Sequence, residues 1–252
     1  MDIKQVSIDL SNYCSKQCSF CYNHSRKEGN VMWQPKEVID FALNCIANGV
    51  EAISLGGGEP FEYEGITDII DAIQSKAYLS ITTNGLPLGD TFSWTTLDKH
   101  RPDKIHISLH NPDSRNELEG IVRQLIYLPH LDIKPGCNML VGSRTIEKCK
   151  FAYERLLEIL DPDQIILIPM RLCGPMPTPE DFAYITGGKP FQSPSCLLGC
   201  SRPQTFASVS WDKKVNSCSY ALGKKQLETL DYKGLINALE RVSFKSCMNH
   251  ED

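Results

Sequence analysis

Cys14-Ser15-Lys16-Gln17-Cys18-Ser19-Phe20-Cys21 places three thiols in eight residues, spaced C-x3-C-x2-C. The stretch follows Val6 to Leu10, whose alternation and β-branched residues predict a strand, so the thiols sit in the loop after it. Three thiolates this close can each ligate one iron of a cubane cluster, leaving the fourth iron without a protein ligand. An open metal position is the mark of a catalytic rather than a structural site. The same spacing also suits a zinc site with a distant fourth ligand, or part of an electron-transfer ferredoxin motif.

Outward from this loop the chain alternates strands and helices. Pro35 opens a helix to Asn48, with apolar residues at helical spacing and Gly49 ending it. Strands are predicted at Ala52 to Leu55, Leu79 to Thr83, Lys104 to Leu109, within Asp132 to Val141, and at Gln164 to Pro169. Helices are predicted at Ile66 to Gln74, Glu117 to Tyr127 and Thr145 to Leu160. This rhythm predicts a parallel α/β sheet with right-handed crossovers. Six units fall short of the eight of a full barrel, so the reading is a partial (β/α)6 barrel over residues 1–185. A doubly wound open sheet shares the same periodicity.

Other motifs fall at the carboxyl ends of these strands, where parallel α/β folds build their sites. Gly56-Gly57-Gly58-Glu59-Pro60 follows the second strand, and glycines there let backbone approach a ligand closely. Thr82-Thr83-Asn84-Gly85 ends the third strand, Ser108 the fourth, and Asn138 lies on the fifth. His106, His110, Arg115 and Arg171 are candidate substrate contacts, although each also reads as a solvated loop residue.

The triplet, with aromatic Phe20 before its third cysteine, resembles the radical S-adenosylmethionine superfamily. The resemblance implies that Cys14, Cys18 and Cys21 hold a [4Fe–4S] cluster whose free iron chelates S-adenosylmethionine. Reductive cleavage would then give a 5′-deoxyadenosyl radical that takes hydrogen from a substrate. It further implies that Phe20, Gly56, Gly57, Gly58, Glu59, Pro60, Asn84, Ser108 and Asn138 line the S-adenosylmethionine site. Flavodoxin or ferredoxin would be the reductant, and a peptide or a small molecule the substrate. A non-catalytic iron–sulfur electron carrier or redox sensor is the competing function, and its mark would be failure to bind or cleave S-adenosylmethionine.

Beyond Pro169 the chain turns rich in proline and glycine and then in cysteine. Residues 186–252 read as a C-terminal extension with a hairpin, Thr205 to Trp211 and Val215 to Cys218, turning at Asp212-Lys213-Lys214, and a last helix from Tyr232. Cys196, Cys200, Cys218 and Cys247 number enough for a second [4Fe–4S] cluster, with Cys173 as a substitute; a structural zinc and free thiols are the other readings. The hairpin resembles the SPASM and twitch auxiliary-cluster regions. It departs from them at Lys213, where a glycine is expected in the turn. Cys45, Cys137 and Cys149 read as buried apolar residues.

The composition sets bounds. Of 252 residues, 41% are hydrophobic and 11 are cysteine, with a formal net charge of −5. No basic run points to nucleic acid or an anionic membrane. There is no apolar stretch near the ~20 residues of a membrane span, and no signal-peptide pattern at Met1-Asp2-Ile3-Lys4. These features predict a cytoplasmic protein, where many cysteines indicate metal or redox chemistry rather than disulfides. Oligomeric state is not legible.

Overall fold

A computed structural model of the chain describes residues 1–171, 174–191 and 202–245. Six strands run β1 (Gln5–Asp9), β2 (Ala52–Gly56), β3 (Tyr78–Thr83), β4 (Lys104–Leu109), β5 (Lys134–Val141) and β6 (Ile165–Pro169). They lie side by side in sequence order, each parallel to the next. Within these six the order never reverses, so no switch point of the doubly wound kind lies among them. The arrangement is the predicted partial barrel. Its crossovers carry helices α1 (Pro35–Ala47), α2 (Ile66–Ile73), α3 (Trp94–Lys99), α4 (Arg115–Tyr127) and α5 (Ile146–Leu156).

Alternation along each strand sends neighbouring side chains to opposite faces. One face is apolar. Val6, Ile8, Ile53, Leu79, Ile81, Ile105, Ile107, Met139, Ile165 and Leu167 are fully buried, with Val38, Phe41, Ile69 and Leu125 of the covering helices in the same core. The other face carries Ser7, Asp9, Ser54, Gly56, Thr82, Ser108 and Asn138, all on the wall of one cavity of about 620 Å³. A closed barrel fills its interior with branched apolar side chains. Here small polar ones leave the interior open.

The C-terminal segment extends this sheet. After α6 (Pro179–Ile185) come β7 (Phe206–Val209), β8 (Lys214–Asn216) and β9 (Lys225–Gln226), with α7 (Tyr232–Glu240) last. β7 pairs parallel to β1, and β8 and β9 follow as an antiparallel meander, giving nine strands in the order β6-β5-β4-β3-β2-β1-β7-β8-β9. The hairpin foreseen from sequence is therefore continuous with the barrel. Its turn does demand a left-handed residue: Lys213 has φ of +60°. That conformation costs about 1–2 kcal/mol for a residue with a Cβ. Offsetting contacts surround the lysine, whose Nζ bonds Glu37 of α1 at 2.8 Å and lies over the buried Trp33 ring. Trp33 Nε1 donates to Ser210 O at 3.3 Å, tying the loop before α1 to the same hairpin.

Candidate functional site

The cavity opens at the carboxyl ends of the strands. Cys14, Cys18 and Cys21 all line it, as do Phe20, Gly56, Gly57, Gly58, Asn84, Ser108 and Asn138. Glu59 and Pro60 do not lie on its wall. Both are buried, and the reason lies in what Glu59 does. Its carboxylate accepts Phe61 N at 3.1 Å, Thr83 Oγ1 at 2.7 Å and Asn84 N at 2.7 Å. It thereby fastens the glycine loop to the end of β3. Burial pushes the carboxyl up to about 7, against the pull of these donors.

The glycine loop supports the cysteine loop in turn. A Cβ on Gly58 would stand 1.7 Å from Tyr13 O, and one on Gly57, whose φ is +112°, 2.6 Å from Ser11 O. Such approaches exclude any side chain. They allow Gly58 N to donate to Ser11 O at 2.8 Å and Glu59 N to Tyr13 O at 3.0 Å.

Each of the next three residues is then held from a different strand end. Asn84, after β3, donates from Nδ2 to Cys14 Sγ at 3.5 Å. Its Oδ1 accepts Leu86 N at 2.8 Å, which fixes the amide so that the nitrogen faces the sulfur. Glu62, after β2, accepts Ser15 N at 3.0 Å and Ser15 Oγ at 2.5 Å. Glu117, in the first turn of α4 after β4, pairs with Lys16 Nζ at 2.9 Å. The same carboxylate accepts His110 N and Asn111 Nδ2. A loop of small and polar residues would otherwise carry a large conformational entropy. These tethers hold it in one geometry.

Burial pushes the Cys18 thiol up to about 11, and raises that of Cys14 as well. Metal binding must therefore displace protons from them. Among the described residues no three His, Cys, Asp or Glu side chains converge on a single ion. Thiolates that serve three different irons need not converge on one point, so the donor set fits a cluster better than a lone zinc.

The rest of the wall contains residues that sequence reasoning had passed over. Ser219, Tyr220, Ala221, Leu222 and Lys224, from the segment between β8 and β9, close one side. The Tyr220 ring packs against Tyr22 with centroids 4.7 Å apart and planes tilted by 58°, and Arg171 lies over it at 4.2 Å. His110 reaches the cavity beside Phe20, with ring centroids 5.7 Å apart. Burial lowers His110 to about 4, so it is neutral at physiological pH. His106 braces Asn138 through Nδ1 at 3.1 Å without lining the cavity, and Arg115 does not line it either. Asp9 is the wall's buried acid. One signal for it was available: a carboxylate inside a strand otherwise built of Val, Ser, Ile and Leu.

Of the second cysteine group only Cys218 is described, and it is a half-buried free thiol. Cys173, Cys196, Cys200 and Cys247 lie outside the described residues. Cys45, Cys137 and Cys149 are buried, as expected. No helix among the described residues is long and apolar enough to cross a membrane.

The chain has relatives among known proteins. A protein of Methanocella arvoryzae named "Probable GTP 3',8-cyclase" is 29% identical over 111 residues, 44% of this chain and 36% of that one. A GTP 3',8-cyclase of Clostridium perfringens strain 13 is 27% identical over 260 residues, 98% of this chain and 75% of that one. Among solved structures, Streptococcus suis SuiB bound to its precursor peptide SuiA superposes with a TM-score of 0.70 at 18% identity, over 86% of this chain and 60% of SuiB. This chain thus spans about a third of the first relative and under two thirds of SuiB. Residues 8–134, half of the chain, match the family model described as "Radical SAM superfamily". The chain belongs to the radical SAM superfamily of enzymes, which use a [4Fe–4S] cluster and S-adenosylmethionine.

Proposed function

We propose that the protein binds a [4Fe–4S] cluster on Cys14, Cys18 and Cys21, holds S-adenosylmethionine beside it, and abstracts hydrogen from a substrate seated in the same cavity. One observation carries this reading: all three thiols line one open cavity, and Cys14, Ser15 and Lys16 are each tethered from a different strand end. Such pre-organisation is what a reactive site requires and what a solvated loop lacks. Bound there, the cluster and S-adenosylmethionine supply one-electron cleavage of the sulfonium and a radical that removes hydrogen. The chain's own part is to position and to exclude water. Gly56, Gly57 and Gly58 present backbone to the cofactor, Ser108 and Asn138 offer polar contacts from the strand ends, and Phe20 with His110 forms an aromatic side wall.

For substrate, the reading is a peptide or protein side chain or a small molecule. The relatives' name favours a nucleotide, while SuiB's bound precursor favours a peptide. Among the described residues the cavity's Lys and Arg are Lys16, Arg171 and Lys224, and Lys16 is already paired with Glu117. That is little positive charge for a triphosphate tail, which favours a substrate of low charge. A second cluster on Cys196, Cys200, Cys218 and Cys247, in a SPASM- or twitch-like region over residues 186–252, is part of the proposal. It is supported by the φ of Lys213, which supplies the left-handed turn where that motif has glycine.

The test is anaerobic reconstitution followed by dithionite and S-adenosylmethionine, with 5′-deoxyadenosine and iron quantified in wild type and in Cys18→Ala. Deoxyadenosine from wild type alone supports the enzyme, and about eight rather than four irons per chain supports the second cluster. A cluster-loaded wild type that neither cleaves nor binds S-adenosylmethionine would instead identify the electron carrier.

A further inference from the structure

Asp9 ends β1 on the inner face of the sheet, beside Gly56 of β2. It lines the cavity, yet its side chain is only 1% exposed. A buried carboxylate ordinarily has both oxygens bonded. Here Oδ1 accepts the Tyr22 hydroxyl at 3.4 Å, while Oδ2 has no hydrogen-bond partner among the described residues. A Cβ on Gly56 would stand 3.4 Å from Oδ1, so the glycine leaves the carboxylate its room. Lys224, also on the wall, is near enough for its charge to favour the ionised form, but it makes no ion pair with Asp9 within 4.0 Å. Burial outweighs it and lifts the carboxyl to about 6, so the ionised acid still predominates at neutral pH.

We propose that Asp9 Oδ2 is the substrate-anchoring acceptor of this cavity, built to take the N–H of a planar amide or lactam group. This rests on the reading above, that the cavity holds the substrate. Three observations select the ligand chemistry. An unbonded buried acceptor calls for a donor. With Lys224 supplying positive charge nearby, a neutral N–H suits the site better than a second cation, which would meet that ammonium. The Tyr22–Tyr220 pair beside Asp9, its rings tilted by 58° and Arg171 lying over Tyr220, makes this side of the wall aromatic, which suits a planar group. A peptide bond and a purine lactam both present such an N–H.

Reconstituted protein saturated with S-adenosylmethionine would be titrated by calorimetry with two probes that each carry one planar N–H, N-methylacetamide for the peptide bond and inosine for the purine lactam. Each would be compared with its N-methylated counterpart lacking that N–H, N,N-dimethylacetamide and 1-methylinosine. Wild type is expected to bind one N–H probe at least tenfold more tightly than its N-methylated form, and which probe does so tells a peptide from a nucleobase. Asp9→Asn keeps the shape and the acceptor for Tyr22 but presents an amide nitrogen to the probe, and should bring the ratio to about one; Asp9→Ala should do the same. An unchanged ratio in both variants, or no binding of either N–H probe to wild type, overturns the proposal. Iron content and S-adenosylmethionine binding, read on the same samples, report separately on the cofactor site.

Discussion

Replacing Gly58 by alanine tests whether the glycine loop is the support of the cysteine loop. The new Cβ would lie 1.7 Å from Tyr13 O and 2.5 Å from Tyr13 C, both backbone atoms that cannot rotate away. The two loops must separate by about 1 Å or more, in an interior packed like a crystal. Separation breaks the bonds Gly58 N to Ser11 O and Glu59 N to Tyr13 O. Each contributes about 1 kcal/mol, and forced overpacking adds about 1–3 kcal/mol, for a total of about 3–5 kcal/mol. Against the 5–15 kcal/mol of a typical domain, the fold should survive and the loop should give way. Tyr13 adjoins Cys14, so the displacement reaches the first thiol directly. Gly49→Ala is the control. It follows α1 with φ of +95°, and nothing lies within 4 Å of its Cβ. It should cost about 1–2 kcal/mol of backbone strain and leave the site intact. Urea unfolding and iron per chain after reconstitution separate the two. Gly58→Ala should lose most of its iron, and Gly49→Ala should keep it. Full iron loading in Gly58→Ala would refute the reasoning.

Other outcomes follow from the same contacts. Glu59 ionises near 7 when folded and near 4.5 otherwise, so the folded state holds the extra proton across that window and stability should fall as pH rises through it. Glu59→Gln should flatten the slope of urea midpoints measured between pH 5.5 and 8; an unchanged slope would show that Glu59 does not titrate there. Lys213→Ala keeps the left-handed strain and loses the Glu37 pair and the contact with Trp33, for a cost of about 1 kcal/mol, while Lys213→Gly loses the same contacts but relieves about 1 kcal/mol of strain; equal unfolding midpoints in the two variants would argue against strain at the turn. Asn84→Ala and Asn84→Asp both remove the N–H donor from Cys14 Sγ, and Asp alone keeps the acceptor for Leu86 N. A hydrogen bond to a ligating sulfur stabilises the reduced cluster, so both variants should show a more negative potential by EPR-monitored titration, and an unmoved potential in both would assign Asn84 a purely structural role.

Much of the barrel was legible because strand and helix periods differ and their alternation leaves few topologies. β4 matched the sequence reading residue for residue, and α1 and α2 fell within a residue of theirs. α3 escaped because Trp94–Lys99 is a single short stretch of mixed composition, held by Ser93 as its cap rather than by an apolar stripe. Thr145 stands at the N-cap of α5 without a side-chain cap bond, because its hydroxyl donates back to Gly142 O. The pairing of β7 with β1 was invisible for a deeper reason: Phe206 and Gln5 are about 200 residues apart, and nothing local records which edge of the sheet a late strand will join.

The glycine-glutamate motif shows where local reading stops. Its place after the second strand, and its glycines on the cavity wall, follow from the sequence pattern. The orientation of Glu59 does not, because it depends on donors at Phe61, Thr83 and Asn84 that converge only when β2 and β3 lie side by side. Once they do, the acid accepts three bonds and does not line the cavity, and it holds the backbone of Asn84, whose side-chain amide faces Cys14. The acid left with an open oxygen is Asp9, on the strand that leads into the cysteine loop. The motif implies a place in the S-adenosylmethionine site for Glu59 and says nothing of Asp9. On the function proposed above, Glu59 bears on the cluster loop through Asn84 and Cys14, and Asp9 meets the substrate. Asp9→Asn and Glu59→Gln should therefore separate in assay: the first should weaken the binding of an N–H probe with the cluster intact, and the second should disturb the cluster with Asp9 intact.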